Sequence, residues 1–165
     1  MKTYFISDIH FNHTNVIKYC NRPFETAEEM NNEIIKRWNS VVKKDDIVWF
    51  LGDWGMGGRN QIKSCIEKLN GKIRMIYGNH DNLPLSFYQG CKNIEYVSKY
   101  PVVLKGMFIL SHAPMENLEG TTFFNIFGHI HTNNDYKTKT YNSQCVCVER
   151  QNYYPIRIEE FDNKN

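Results

Sequence analysis

The sequence predicts an α/β fold in which strands alternate with helices. Three short apolar runs, at residues 3–7, 47–51 and 73–77, are separated by segments with apolar residues at helical spacing. The run at 47–51 is apolar throughout, which is typical of a strand covered on both faces. The order β-α-β-α-β predicts parallel strands joined by right-handed crossovers, so the carboxyl ends of the strands should share one edge of a sheet.

The helices of the first half have recognisable ends. Residues 12–20 predict a short helix that stops before a proline. Thr26 and Glu29 have the spacing of a capping box, which predicts the start of a longer packing helix. Residues 61–69 predict a further helix, and the Asn-Gly pair at 70–71 predicts its C-cap.

The second half has shorter apolar runs and predicts strands without long helices. Lys105 and Gly106 separate two of these runs and predict a hairpin with a two-residue turn. The predicted strands of this half are residues 100–104, 107–111, 125–127, 140–148 and 154–160.

Length and charge exclude few functions. The 165 residues predict a single domain, residues 1–165, because the chain can bury a sizeable core but has no room for a separate regulatory domain. A net charge of +2 neither requires nor excludes a nucleic-acid partner. The first apolar run is too short for a signal peptide and no later one could cross a bilayer, so we expect a soluble cytoplasmic protein without a membrane partner.

Five cysteines are scattered along the chain without a Cys-x-x-Cys pair, which indicates reduced thiols. Cys145 and Cys147 alternate with valines. This alternation favours one face of a strand over a zinc site, because no second thiol pair is present to complete the coordination.

Short polar clusters contain or adjoin every histidine. In chain order the clusters are Asp8-Ile9-His10, Gly52-Asp53, Gly78-Asn79-His80-Asp81, His112 and Gly128-His129-Ile130-His131. Each has an ordinary interpretation when taken alone, since Asp8 can cap a helix and Asn, His and Asp are common turn residues. In an extended segment, however, residues two apart point to the same face, so Asp8 and His10 can converge on one point.

The order Asp-x-His, Gly-Asp, Gly-Asn-His-Asp, His and Gly-His-x-His resembles the calcineurin-like metallophosphoesterase superfamily over the span from Asp8 to His131. The segments His-Phe-x-His-x-Asn and Asn-Arg-Pro-Phe are similar to a small bacterial and phage branch of it. The resemblance implies the four-layer α/β/β/α metallophosphoesterase fold, a two-sheet β-sandwich flanked by helices. The pattern of strands and helices in this chain fits that architecture.

The motifs offer two carboxylates, one amide oxygen and four imidazoles, with no thiolate. This set is too large for one tetrahedral ion and suits two divalent ions of intermediate character, such as Mn²⁺, Fe, Zn²⁺ or Ni²⁺, with Mn²⁺ the first choice. The resemblance implies that Asp53 bridges the two ions. It places the other ligands as Asp8, His10 and His131 on one ion and Asn79, His112 and His129 on the other.

Two such ions can share a bridging hydroxide and clamp the oxygens of a phosphorus centre, which is the chemistry of phosphoester hydrolysis. The resemblance makes His80 the general acid for the leaving alkoxide, oriented by Asp81; the alternative is that His80 only binds substrate charge. His13 and Arg22 are candidates for binding the substrate phosphate. The alternative for Arg22 is a surface charge.

The leading hypothesis is a two-metal phosphodiesterase that acts on nucleotides or nucleic acid. The stretch between Asp81 and Ser111 is short and leaves little room for elements that grip a protein substrate. A phosphomonoesterase or phosphoprotein phosphatase is the alternative within this class. A non-catalytic metal-binding scaffold is disfavoured because every ligand position and His80 are present, and nucleic-acid binding without catalysis is disfavoured because the lysines are sparse.

Overall fold

The structure is a computed structural model that describes residues 1–133 and 142–161. Within these residues the strands are β1 (Thr3–Ile6), β2 (Ile47–Phe50), β3 (Lys72–Ile76), β4 (Ile94–Ser98), β5 (Val102–Leu104), β6 (Phe108–Leu110), β7 (Phe124–Phe127), β8 (Ser143–Cys145) and β9 (Ile156–Arg157). The α-helices are α1 (Thr14–Tyr19), α2 (Ala27–Val41), α3 (Arg59–Ile66) and α4 (Leu85–Gln89). Two 3₁₀ helices span Val148–Gln151 and Ile158–Glu160.

The strands form two sheets, with the orders β4-β3-β2-β1-β9 and β5-β6-β7-β8. Neighbouring strands from β1 to β4 pair in parallel, as the sequence predicted for the first three, and β9 pairs antiparallel to β1. In the second sheet β6, β7 and β8 are parallel to one another. Each sheet therefore has one edge at which several strands deliver their carboxyl ends.

Two apolar cores hold the layers together. Phe50 of β2 packs with Trp38 of α2 in the core between the first sheet and the helices. Trp49, its neighbour on β2, points the other way and packs with Phe5 and Leu110 in the core between the sheets. This alternation follows from the two-residue period of a strand. The two-sheet α/β sandwich with helices is thereby confirmed.

The outer face of the second sheet carries Asn125, which is fully buried. Its side-chain amide donates to the carbonyl of Ile109 at 2.8 Å, and its oxygen accepts from the backbone N–H of Met115 at 2.9 Å. The loop after β6 is thereby held on this face. All four α-helices described contribute to the core on the far side of the first sheet. Within the described residues, the layer on the outer face of the second sheet is therefore a loop without an α-helix.

The ends of two helices differ from expectation. The Thr26 hydroxyl accepts from the backbone N–H of Glu29 at 3.1 Å, as predicted. The Glu29 carboxylate, however, accepts from the backbone N–H of Glu25 at 2.8 Å, one residue before the Thr26 N–H that a capping box would use. The predicted C-cap at 70–71 is wrong, because α3 ends at Ile66. Gly71, with φ of +94°, serves the entry into β3, where a Cβ would lie 2.8 Å from Val42 Cγ1.

The hairpin and the short elements were predicted less well. Leu104 pairs with Phe108, so the turn has three residues, and both Lys105 and Gly106 have positive φ. Both α4 and β4 were missed, α4 because five residues are too few for a helical period to stand out and β4 because only one of its five residues is buried. The predicted strand 154–160 consists of β9 followed by a 3₁₀ helix, and part of the strand predicted at 140–148 lies outside the described residues.

No α-helix in the described part of the chain is both long enough and apolar enough to cross a membrane.

Candidate metal centre

The seven side chains predicted as metal ligands meet at the carboxyl-end edge of the two sheets. Asp8 follows β1, Asp53 follows β2, and Asn79 follows β3. His112 comes from the end of β6, and His129 and His131 come from the end of β7. A continuous chain of contacts of 3.9 Å or less joins them, in the order His129, Asn79, His112, Asp53, His10, Asp8 and His131.

The backbone is left-handed at five of the predicted ligands. Asp8, His10 and Asp53 have φ of 59°, 55° and 67°, and His129 and His131 have φ of 72° and 49°. The expectation that Asp8 and His10 converge because their segment is extended is therefore wrong; they converge because the chain turns through a conformation that non-glycine residues rarely adopt. Such strain at several neighbouring positions is typical of a functional site that the surrounding fold stabilises.

The glycines that precede the ligands allow this close approach. A Cβ at Gly78 would collide with the carboxylate of Asp53, and one at Gly128 would collide with the carboxylate of Asp8. At Gly52 a Cβ would collide with the backbone of Gly78. Each glycine is thus required by the packing of one ligand segment on another.

We call Asp8, His10 and His131 the buried half of the centre. Asp8 and His10 are 0% and 2% exposed. Nε2 of His10 lies 3.9 Å from Asp8 Oδ1, and Nε2 of His131 lies 3.7 Å from the same oxygen. Asp8 Oδ2 is occupied separately, because it accepts from the backbone N–H of His129 at 2.8 Å. Three potential ligand atoms are therefore directed at one point.

We call Asn79, His112 and His129 the open half. Asn79 and His129 are exposed, whereas His112 is buried. Asn79 Oδ1 lies 2.8 Å from His112 Nε2 and 2.9 Å from His129 Nδ1. The Nδ1–H of His112 donates to the carbonyl of Leu51 at 2.7 Å, which leaves Nε2 as the ligand atom.

Asp53 lies between the halves. Its Oδ2 is 3.6 Å from His10 Nε2 and 3.5 Å from His112 Nε2. Its Oδ1 accepts from the backbone N–H of His80 at 2.8 Å, which fixes the orientation of the carboxylate. One carboxylate therefore faces both halves.

The cluster fits divalent cations. Asp8 Oδ1 and both ring nitrogens of His10 are buried without a hydrogen-bond partner, and such unpaired groups are costly unless a cation is bound. Burial, followed by the nearby His131 and Arg22, lowers the pKa of His10 to about 2, so its imidazole is neutral and available as a ligand. Burial raises the pKa of Asp53 to about 6, with the Asp8 carboxylate adding to the effect. Crowded carboxylates of this kind favour a positive ion.

His80 and His13 line the open side of the cluster. His80 is exposed, and its ring centroid lies 5.4 Å from that of His10. His13 is partly exposed with its ring 5.6 Å from that of His10, and its Nδ1 accepts from the backbone N–H of Val16 at 3.2 Å. Both imidazoles can therefore reach a molecule bound at the centre.

Asp81 does not have the predicted role of orienting His80. Its carboxylate accepts from the backbone N–H groups of Asp53, Trp54 and Gly78 at 2.8–2.9 Å, and from the Tyr88 hydroxyl at 3.3 Å. Burial raises its pKa in spite of these donors. Asp81 therefore ties together the two loops that follow β2 and β3.

Arg22 does not lie on the open side, and both sequence-based interpretations of it are wrong. Its side chain has no exposed surface, so it is neither a surface charge nor able to contact a substrate phosphate. The guanidinium donates to the backbone carbonyls of Asp8 and Ile9, each at 2.7 Å. Its Nε and Nη2 both donate to Oε1 of Glu149, at 2.9 and 2.7 Å.

Two residues beside the centre were missed. The Cys147 thiol donates to Asp8 Oδ2 at 3.3 Å, and Glu149 Oε1 accepts from His131 Nδ1 at 2.9 Å. Burial disfavours the charged imidazole, but hydrogen bonds with Cys20 and Glu149 raise the pKa of His131 to about 10. Nothing in the local pattern marked Cys147 as a neighbour of Asp8 or Glu149 as a partner of Arg22, because Cys147 and Glu149 are more than 120 residues away from them in the sequence.

Cys20, His131 and Glu149 also lie within 4.8 Å of one another and have the chemistry of a third metal group. The guanidinium of Arg22, however, lies 2.7 Å from Oε1 of Glu149, so the carboxylate is already paired with a cation. A positive charge already bound there disfavours a metal ion at this point.

The two sheets thus direct carboxylates, an amide and imidazoles to one edge, and these residue types are those of a centre for divalent metal ions. The chain belongs to the calcineurin-like phosphoesterase family, whose model matches residues 1–158. It is 42% identical over 168 residues to the uncharacterized protein MJ1445 of Methanocaldococcus jannaschii, an alignment covering 96% of this chain and 88% of that protein. It is 40% identical over 82 residues to the Gene 66 protein of Mycobacterium phage L5, covering 48% of this chain and 39% of that protein.

Among solved structures, the chain is similar to the Aquifex aeolicus protein AQ665, described as a protein of unknown function. The TM-score is 0.70 at 25% sequence identity, with 93% of this chain and 94% of that chain covered. The fold is therefore shared along almost the whole length of both chains.

Proposed function

We propose that this chain is a two-metal phosphoesterase that hydrolyses phosphodiesters of nucleotides or nucleic acid. The observation that carries the proposal is the position of Asp53, whose Oδ2 faces His10 of the buried half at 3.6 Å and His112 of the open half at 3.5 Å. A carboxylate shared in this way suits a pair of adjacent ions.

The residues assigned to the ions follow from the two halves. Asp8, His10 and His131 would hold one ion, Asn79, His112 and His129 the other, and Asp53 both. The mixed oxygen and imidazole ligands suit Mn²⁺, Fe, Zn²⁺ or Ni²⁺. When bound, such ions lower the pKa of a coordinated water and stabilise charge on phosphoryl oxygens.

His80 is the group best placed to move a proton. Its side chain is exposed beside the cluster, while its backbone N–H is fixed on Asp53 Oδ1 at 2.8 Å. From this position the imidazolium can protonate the alkoxide that leaves the phosphorus. His13, partly exposed on the same side, can donate a hydrogen bond through Nε2 to a phosphate oxygen, because its Nδ1 is used as the acceptor for Val16 N–H.

The compact chain between the third and fourth motifs supports a diester substrate. Between Asp81 and Ser111 the structure has only α4, β4, β5 and β6, which belong to the sheets and their packing. This described stretch contains no additional helix or strand that could bind a protein substrate beside the centre. We therefore expect an extended or small phosphoester to be preferred over a phosphoprotein.

The test is to strip the protein with a chelator, restore Mn²⁺, Ni²⁺, Zn²⁺ or Mg²⁺ in turn, and compare an aryl phosphodiester with the matching monoester. We expect metal-dependent turnover of the diester. His80→Ala should lower the rate by about 10²–10⁴-fold without loss of bound metal, because a general acid contributes about that much.

The other outcomes are informative. Faster turnover of the monoester would favour a phosphomonoesterase or phosphoprotein phosphatase. Metal binding without turnover of either ester would favour a non-catalytic scaffold.

A further inference from the structure

A buried carboxylate supports His131 from behind. The Glu149 side chain is 4% exposed, and its Oε1 lies 2.9 Å from Nδ1 of His131. The other ring nitrogen of His131, Nε2, faces Asp8 Oδ1 at 3.7 Å. The imidazole is therefore held between a supporting carboxylate and the point at which the buried half directs its ligand atoms.

Arg22 determines where this carboxylate lies. Its Nε and Nη2 donate to Glu149 Oε1 at 2.9 and 2.7 Å, and the same guanidinium donates to the carbonyls of Asp8 and Ile9. The loop that carries Asp8 and the segment that carries Glu149 are thus joined through one rigid, planar group. A shift of Glu149 would break hydrogen bonds on both sides.

The chemical consequence concerns the tautomer of His131. An ionised carboxylate has only acceptors, so it requires a proton on Nδ1 and leaves the lone pair of Nε2 for a metal. His112 has the same arrangement, but its Nδ1 donates to the neutral carbonyl of Leu51. Among the imidazoles of the centre, the described contacts give only His131 a charged group at its back, and a charged acceptor makes the ring a stronger ligand.

We propose that Glu149 and Arg22 are a positioning pair that fixes His131 as an Nε2 metal ligand and makes the buried half the tighter of the two metal sites. This inference rests on the proposed function, because it requires Asp8, His10 and His131 to hold an ion.

The test is calorimetric titration of the metal-stripped full chain with Mn²⁺ alone. The wild-type chain should bind two ions. Glu149→Gln should weaken the tighter site by about 10–100-fold and leave the other unchanged, since loss of a hydrogen-bond partner behind a ligand has about that effect. The matched control is Glu160→Gln, which removes an exposed carboxylate bonded to Arg157 at 2.8 Å and should change neither site.

A second variant guards against misfolding. Glu149→Gln alone leaves the buried Arg22 without its partner, whereas Arg22→Met combined with Glu149→Gln removes both charges and replaces the pair with uncharged groups. The same site should be weakened in the double variant. In the Zn²⁺-loaded wild-type protein, ¹H–¹⁵N NMR should show a low-field Nδ1–H resonance of His131 that moves upfield in Glu149→Gln, because a neutral amide accepts more weakly.

The outcomes separate the two proposals. If the wild-type chain binds two ions and both variants bind them as tightly, the positioning role is overturned and the proposed function stands. Equal weakening of both sites would also overturn it, since that indicates a general structural role. A wild-type chain that binds no Mn²⁺ would overturn the positioning role and the two-metal proposal together.

Discussion

The two halves of the candidate metal centre differ in burial and in what supports their imidazoles. In the buried half, Asp8 and His10 are almost unexposed and His131 is supported by the Glu149 carboxylate. In the open half, His129 is exposed and the support behind His112 is a backbone carbonyl. A buried site with charged support holds its ion in fixed geometry, whereas an exposed site exchanges ligands with solvent and substrate more readily. We therefore expect the buried half to retain its ion and the open half to contact the phosphoester.

The largest effect should come from removing the carboxylate that the halves share. In the wild-type chain, a charged carboxylate oxygen of Asp53 faces both His10 and His112. Asp53→Asn replaces this carboxylate with an uncharged amide that has a single oxygen. We expect neither ion to survive dialysis and the diesterase rate to fall by about a thousandfold, because charge on the phosphoryl oxygens is no longer stabilised. Mass spectrometry measures the metal content after dialysis, and turnover of an aryl diester measures the rate.

The control is Asp45→Asn, which changes an exposed carboxylate in the turn before β2. Two ions per chain in Asp53→Asn would contradict a shared ligand.

The next effect separates the halves directly. His131→Ala and His129→Ala each remove one imidazole, the first from the buried half and the second from the open half. We expect His131→Ala to abolish the tighter step of a Mn²⁺ titration, a loss of more than about a hundredfold, since a direct ligand contributes more than its hydrogen-bond partner does. His129→Ala should affect the weaker step. The opposite assignment of the two steps would reverse the comparison.

A smaller effect is expected beneath the open half. Asp81 accepts three backbone N–H groups from the loops that carry Asp53 and Asn79. Asp81→Asn keeps one acceptor oxygen and turns an NH₂ group toward a donor, so the free energy of unfolding should fall by about 2–3 kcal/mol. Urea unfolding of the metal-free protein measures this, again with Asp45→Asn as the control. Unchanged stability of Asp81→Asn would contradict this structural role.

The smallest and most graded effect is that of pH on metal binding. Without metal, hydrogen bonds to Cys20 and Glu149 raise the pKa of His131 to about 10, so near pH 8 it carries a proton that the metal must displace. Burial raises the pKa of Asp53 to about 6, so below that pH a second proton must leave. Affinity should therefore fall as pH falls, by about tenfold per pH unit near pH 8 and more steeply below pH 6. Titrations in buffers of different ionisation enthalpy count the released protons. An affinity independent of pH would contradict these shifts.

The core strands were accessible from the sequence for a physical reason, whereas the candidate ligands were assigned through the resemblance of their motifs to a known family. A core strand is a run of consecutive apolar residues, so a run such as 47–51 indicates that it is buried. The polar residue that follows it, Asp53, indicates where the edge of the sheet lies. The helix α4 is too short for a helical period to be read, and β4 is buried at only one of its five residues and so forms no continuous apolar run; both were therefore missed. The extent of the domain at 1–165 and the roles assigned to the site residues other than Arg22 and Asp81 remain predictions.

By itself the sequence determined the order of the motifs, the parallel first sheet and the chemical character of the ligand set, because these depend on residue type and local spacing. Only the tertiary structure decided the left-handed turn at Asp8 and His10, the burial of Arg22 and the support of His131 by Glu149. Glu149 lies 127 residues from Arg22 along the chain, and their contact exists only after the first and last parts of the chain have packed together. Spacing in the sequence records which groups are available, whereas the direction of each side chain is set by backbone conformation and by partners far away in the chain.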